Sequence, residues 1–177
     1  EQFGESTELS VMTSAGGLVH WKRFSGKDCI LSGPAGGVAA LCELGVSSSR
    51  RDLIGLDMGG TSTDVCRVFQ SEMSDGFTAE IELESEKAGV QVWAPGLPIE
   101  TVASGGGSSC WFDGSRLRVG PDAAGASPGP AAYGRGGPLT VTDVKLYLGR
   151  IPEEQFPFPI DHAAIEQRLA KVVSRVA

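Results

Sequence analysis

The sequence is short of aromatics, basic charge, paired cysteines and long apolar runs, and each shortage removes a class of function. No apolar segment approaches the roughly 20 residues that a helix needs to cross a bilayer. Fifteen Lys and Arg stand against 22 Asp and Glu, a formal net charge of −7 with both histidines neutral. Gripping nucleic-acid phosphates takes a basic face, so neither nucleic acid nor a membrane is expected as a partner. The four cysteines, Cys29, Cys42, Cys66 and Cys110, lie far apart with no C-x-x-C pair. Zinc needs local ligand pairs, and only His20 and His162 could supplement these thiols, so the pattern argues against a zinc site. Disulfides stay geometrically possible, but the small or apolar neighbours of each cysteine favour reduced, buried thiols and a cytoplasmic chain. No G-x-S-x-G and no Cys/His arrangement supports nucleophilic catalysis. The first residues, Glu1-Gln2-Phe3-Gly4-Glu5, show neither a basic nor an apolar leader region, so no secretion signal is visible. A start without Met leads us to expect a piece of a longer chain.

What the sequence has in excess is glycine, 25 of 177 residues, about double the usual share of roughly 7 %. With 41 % hydrophobic and 21 % charged residues, the composition otherwise suits a soluble domain with a core. The glycines cluster in short loops between apolar segments, the pattern of a backbone that must come close to something.

Residues 11–21 begin strand-like and break at Ser14-Ala15-Gly16-Gly17. Asp28-Cys29-Ile30-Leu31 reads as a buried strand, followed by Ser32-Gly33-Pro34-Ala35-Gly36-Gly37 and a helix that Gly45 should end. Asp52-Leu53-Ile54-Gly55-Leu56-Asp57 is apolar enough for a buried strand, and Asp64-Val65-Cys66-Arg67-Val68-Phe69 leaves as another. One or two strands are expected over 80–92, where the acidic run 80–86 is a solvated face. A short strand covers 99–103, and a hairpin turns at Asp113-Gly114. Residues 120–138, rich in Gly, Pro and Ala, read as a packed irregular loop. A short helix should start at Thr142-Asp143, with Asp143 as its N-cap, and end at Gly149. A last helix, capped by Asp161, should bury Ile165, Leu169, Val172, Val173 and Val176 along one side.

The sharpest constellation is Asp57-Met58-Gly59-Gly60-Thr61-Ser62-Thr63-Asp64 between two apolar strands. Gly59 and Gly60 allow backbone N–H groups to meet an oxyanion without Cβ atoms in the way. Thr61 and Thr63 add hydroxyls. Asp57, at a strand end, suits Mg²⁺ held through water, and Asp64 could order the turn or join the metal's water shell. This is no Walker loop, since neither G-x-x-x-x-G-K-[ST] nor a following helix is present. From the residues alone two readings stand: a phosphate grip, or a glycine hairpin whose Asp and Thr satisfy their own backbone. Ser104-Gly105-Gly106-Gly107-Ser108-Ser109 likewise reads as a second anion cradle or a close-packed turn. Arg135 could fork onto a substrate carboxylate or lie on the surface, and His20 and His162 have no partner at motif spacing.

Strand, D-x-G-G-T-x-T-D, strand is similar to the phosphate hairpin of the actin, Hsp70 and sugar-kinase superfold of ATPases. Four segments in order resemble the hydantoinase A / 5-oxoprolinase family, most closely its 5-oxoprolinase branch. They are Leu31-Ser32-Gly33-Pro34-Ala35-Gly36-Gly37-Val38, the segment from Ile54 through the hairpin to Val65, Thr101-Val102-Ala103-Ser104-Gly105-Gly106-Gly107-Ser108, and Val119-Gly120-Pro121 running through Tyr133 to Thr142-Asp143. The resemblance covers about residues 9–151.

It implies an α/β fold of mostly antiparallel and mixed strands with flanking helices, part of an actin-like or ribonuclease-H-like ATPase. The chain would be the central fragment of a hydantoinase/oxoprolinase domain, with the phosphate hairpin in 28–119, a Gly/Pro-rich loop and short helix in 120–150, and a terminal helix in 160–176. The implied activity is ATP-dependent opening of a cyclic amide such as 5-oxoproline or a hydantoin through a phosphorylated intermediate. ATP and Mg²⁺ would be the cofactors, Asp57 the catalytic and metal-linked carboxylate, and Gly59, Gly60, Thr61, Thr63, Asp64, Gly105, Gly106 and Gly107 the nucleotide contacts. Partners would be the substrate, the remaining domains or a subunit of the parent enzyme, and further copies in an oligomer. Family members carry an earlier glycine hairpin and a later glycine-rich nucleotide segment absent here, so the fragment alone is expected to be inactive. The alternatives are a subunit of an ATP-dependent acetone or aromatic ketone carboxylase, and a nucleotide-binding or assembly module without catalysis.

Overall fold

The computed structural model describes residues 7–72, 76–87 and 89–176. Residues 1–5, read above for a leader, lie outside them. The chain folds as two compact units, one comprising 1–57 and 64–100, the other 58–63 and 101–177. The division passes through the glycine hairpin.

The first unit opens with β1 (Ser10–Met12) and β2 (Leu18–His20), an antiparallel pair around the glycine break. Where a buried strand was expected at Asp28–Leu31, the chain makes a 3-10 turn over Gly26–Cys29. The Asp28 carboxylate folds back to accept the Ser25 N–H at 3.1 Å, and the Ser14 N–H and hydroxyl both take the Asp28 carbonyl, at 2.8 and 2.9 Å. Local capping and a side-chain clamp thus occupy the groups a strand would have offered to a neighbour. Cys29, on this turn, is exposed rather than buried.

Helix α1 (Ser32–Val46) begins directly after Leu31, which adopts the left-handed conformation at φ 64°. Ala35 and Val38 are buried, and Leu41 and Cys42 continue the same stripe at helical spacing. The helix ends one residue past Gly45, at Val46, and Gly45 does not adopt the left-handed conformation of a terminating glycine. A Cβ there would stand 2.6 Å from Cγ of Phe77, so this glycine serves ring packing rather than a turn. Strands β3 (Asp52–Met58), β4 (Thr63–Gln70) and β5 (Phe77–Thr78) lie side by side in that order. Helix α1 packs so closely on β3 that a Cβ at Gly55 would be 2.7 Å from both Leu41 Cδ2 and Cys66 Sγ. The core gathers Ala35, Val38, Val68 and Ile99. One face of β3, expected to be buried, is open: Ile54 and Leu56 are 75 % and 68 % exposed. The antiparallel ribbon of β6 (Glu82–Lys87) and β7 (Val90–Gly96) completes the unit, and β8 (Glu100–Val102) follows.

The second unit holds the hairpin of β9 (Ser108–Phe112) and β10 (Leu117–Ala123), turned as expected at Asp113-Gly114 with Gly114 at φ 101°. Helix α2 (Val141–Tyr147) is capped by Thr140, while Asp143 occupies the third helical position of the capping box rather than the cap itself. Helix α3 (His162–Val176) buries Ile165, but Val173 and Val176 of the expected stripe are more than half exposed. Ala132, Leu146 and Ile165 form this unit's own core, with Tyr133, Ile151, Phe156 and Ile160 packed on it. The expected irregular loop is packed only in part: its first residues continue β10, Gly129, Pro130, Ala131 and Ala132 are buried, and most of 121–128 and all of 134–136 are exposed. The fold is therefore mixed α/β, with antiparallel pairs and flanking helices.

Candidate nucleotide site

The tip of the glycine hairpin belongs to the second unit. The Gly59 N–H donates to the Ser62 carbonyl at 2.9 Å and closes the turn. Gly60 faces open space, since a Cβ built on it meets nothing within 4 Å. Thr61 is exposed, and neither its N–H nor its hydroxyl is engaged among the described residues. A turn with unspent donors and no side-chain bulk is the physical requirement for receiving an oxyanion. Thr63 differs from Thr61. Its side chain is buried, and its hydroxyl donates to the Ser104 carbonyl at 2.5 Å.

That bond introduces the glycine triplet. The Gly106 N–H donates to the Gly59 carbonyl at 2.9 Å and the Gly107 N–H to the Gly60 carbonyl at 2.7 Å. The Gly105 N–H donates to the Ser108 hydroxyl at 2.9 Å. A Cβ at Gly105 would lie 2.7 Å from Gly59 O, Gly60 C and Thr61 N, and one at Gly107 would lie 2.9 Å from Gly60 O. The triplet needs glycine so that its backbone can lie against the hairpin backbone. All three N–H groups are spent within the unit, which matches the close-packed turn of the two sequence readings and leaves none of them to donate to a ligand.

In the first unit, Asp57 and Asp64 line one groove of about 280 Å³ together with Gly37, Leu41, Gly55 and Ile99. A Cβ at Gly37 would stand 3.9 Å from Asp57 Oδ2, so α1 passes beside this carboxylate without a side chain between them. No group of three or more His, Cys, Asp or Glu gathers as metal ligands among the described residues. Magnesium does not need such a cage: one or two carboxylates, waters and substrate phosphates are its usual shell. An exposed Asp57 with Asp64 on the same groove fits that donor set.

Burial pushes the Cys42, Cys66 and Cys110 thiols up from their ordinary range, so they are poor nucleophiles at neutral pH. Arg135 stacks over the Phe158 ring, 5.9 Å from its centroid. His162 pairs with Glu153 at 2.8 Å, and His20 accepts the Lys22 N–H at 3.3 Å, so both histidines have structural partners. Ser104 and Ser108, which bound the glycine motif, brace the triplet through a carbonyl and a hydroxyl; Lys145, to which the sequence assigns no role, has its Nζ 3.3 Å from Met58 Sδ. The serines flank the glycines in sequence, a signal that was available. Lys145 carries none except its spacing from Thr142.

The fold is shared with two solved enzymes that are themselves ATP-dependent. It superposes on a nucleotide-free structure of acetone carboxylase with a TM-score of 0.78 at 25 % identity, over 96 % of this chain and 24 % of that one. It superposes on the ATP-dependent caprolactamase of Pseudomonas jessenii with a TM-score of 0.65 at 28 % identity, over 89 % and 23 %. Residues 1–176 match the hydantoinase/oxoprolinase family, and the chain belongs to it. The 5-oxoprolinase of Saccharomyces cerevisiae is 48 % identical over 159 residues, which are 86 % of this chain. The chain spans about an eighth of that relative's length, 12 %.

Proposed function

We propose that the chain is part of an ATP-dependent cyclic-amide hydrolase, with 5-oxoproline the leading substrate, and that it supplies the phosphate-binding hairpin. A lactam carbonyl is a weak electrophile. Transfer of the γ-phosphoryl group to its oxygen expels ADP and makes that oxygen a leaving group. Water then adds to the carbon and the C–N bond opens as the ring nitrogen takes a proton, leaving an acyl phosphate that a second water hydrolyses to the carboxylate and phosphate. The observation that carries the reading is the hairpin tip, where Gly60 faces open space and the Thr61 donors stand unengaged. These N–H and hydroxyl groups are the preorganised donors that charge on a transferring phosphoryl group requires.

Within this reading Gly59, Gly60 and Thr61 contact the phosphates. Thr63 and the Gly105, Gly106 and Gly107 stack hold the hairpin in shape. Asp57, helped by Asp64, is the carboxylate that would hold Mg²⁺. Bound there, the ion would neutralise phosphate charge and orient the transferring group. A cytoplasmic, oligomeric parent completes the proposal. The test is the full-length parent enzyme given ATP and 5-oxoproline: glutamate, ADP and phosphate should form in equal amounts, and Asp57→Ala should abolish them. Failure of the wild type to form glutamate would end the reading.

The likeness to acetone carboxylase supports a second reading, ATP-dependent carboxylation of a ketone. ATP with a ketone and bicarbonate, set against ATP with 5-oxoproline, separates the two by product.

A further inference from the structure

We infer that Lys145 is a cationic member of the phosphate site, with its ammonium facing the terminal phosphates of a nucleoside triphosphate held by the hairpin. The inference rests on the proposed function and adds to it a residue on a separate element. The first turn of α2 is tied to the hairpin through one intermediary. The Thr142 N–H donates to the Gly106 carbonyl at 2.8 Å, and the Gly106 N–H donates to the Gly59 carbonyl at 2.9 Å. The contact is also tight sideways, since a Cβ at Gly106 would stand 2.8 Å from Thr142 Oγ1. Residues three apart share a helix face, so the face that Thr142 turns to the glycine stack also carries Lys145. Its Nζ lies 3.3 Å from Sδ of Met58, the residue that enters the turn before Gly59.

A thioether is a weak acceptor that cannot neutralise an ammonium. Lys145 is half-buried as a residue, and this thioether is the acceptor its ammonium meets in the structure. The hairpin meanwhile offers neutral donors only, whereas a triphosphate brings several negative charges to it. A point charge on a flexible four-carbon stem at the turn's entrance supplies what that arrangement lacks, and three rotatable N–H donors let it follow the phosphate during transfer. Two residues before Lys145, the buried Asp143 fixes the helix start, so the stem leaves from a rigid base.

The test uses the full-length parent and measures binding of a non-hydrolysable ATP analogue and of adenosine by calorimetry at several salt concentrations, together with melting temperature. Lys145→Met, which keeps the stem and the helix propensity, should weaken the triphosphate about ten- to a hundredfold. It should leave adenosine affinity and melting temperature unchanged and make the salt dependence of triphosphate binding shallower. Lys145→Arg should recover most of the loss. Unchanged triphosphate affinity in Lys145→Met, or equal losses for triphosphate and adenosine, would overturn the inference and leave the proposed function standing. A wild-type parent that binds no ATP analogue would overturn both.

Discussion

The carboxylate of Asp143 accepts the backbone N–H of Ala132 at 2.8 Å, and neither residue has any exposed surface. Its other oxygen takes the N–H of Ala131 at 3.1 Å, the N–H of Thr140 at 2.7 Å and the Thr140 hydroxyl at 2.8 Å. One acid thus ties the glycine-proline loop to the start of α2.

Replacing Asp143 by Ala leaves the buried N–H groups of Ala132 and Thr140 without their acceptor, while the Ala131 N–H keeps the Pro138 carbonyl at 3.1 Å, and each such orphan costs on the order of 1–3 kcal/mol. A loss of about 3–5 kcal/mol is expected, as for other broken buried networks. Urea unfolding should show a lower midpoint, and limited proteolysis should cut first within residues 120–140. A variant as stable as the wild type would mean the loop is held by its apolar contacts alone.

Two glycines beside each other in the site should respond in opposite ways. A Cβ at Gly105 collides with hairpin backbone at 2.7 Å, while one at Gly60 meets nothing within 4 Å. Gly105→Ala should therefore displace the turn and lower the melting temperature. Gly60→Ala should leave folding intact and weaken ATP by crowding the approach of the phosphates. Equal melting curves for the two variants would contradict the buttress.

The hairpin and the β9–β10 turn were legible because their signals are local: apolar runs around glycines, and Asp-Gly between strands. For Gly105, Gly106 and Gly107 the sequence carries two readings, because their role depends on a partner more than forty residues earlier, which one sequence does not reveal. Asp28-Cys29-Ile30-Leu31 misled for the opposite reason. Four apolar-leaning residues suit a strand or a turn equally, and the Ser25–Asp28 cap and the Ser14 clamp decided it. Asp143 suits an N-cap by residue type, but Thr140 has an equal claim and takes it, which puts Asp143 three residues into the capping box.

Asp113 accepts the N–H groups of Ser115 and Arg116, each at 2.9 Å, and the Arg118 side chain at 2.5 Å. The backbone donors, with the Ser115 and Arg118 side chains, hold its carboxyl well below the usual carboxylate range. A folded-state pKa below the unfolded one contributes stability that is complete above the unfolded value, about 3.9, and is lost as pH falls toward the folded one. An NMR titration should find the Asp113 carboxyl still ionised at pH 3. Asp113→Asn should remove the acid dependence of the β9–β10 turn, and a midpoint near 4 would refute the arrangement.

Helix α1 offers a comparison in which two effects compete at one glycine and only one acts at another. Alanine exceeds glycine in a helix interior by about 1 kcal/mol, so both Gly36→Ala and Gly45→Ala begin with a gain. At Gly36 nothing stands within 4 Å of the added carbon, and the gain should survive as a higher melting temperature. At Gly45 the carbon would stand 2.6–2.8 Å from three atoms of the Phe77 ring. Forcing a methyl into a packed contact costs roughly 1–3 kcal/mol, enough to cancel the propensity gain and reverse it. Gly45→Ala should melt lower than the wild type, and pairing it with Phe77→Leu, which removes the ring from that position, should restore part of the loss. If both alanines stabilise alike, the helix end is free to shift against β5 and Gly45 is no packing constraint.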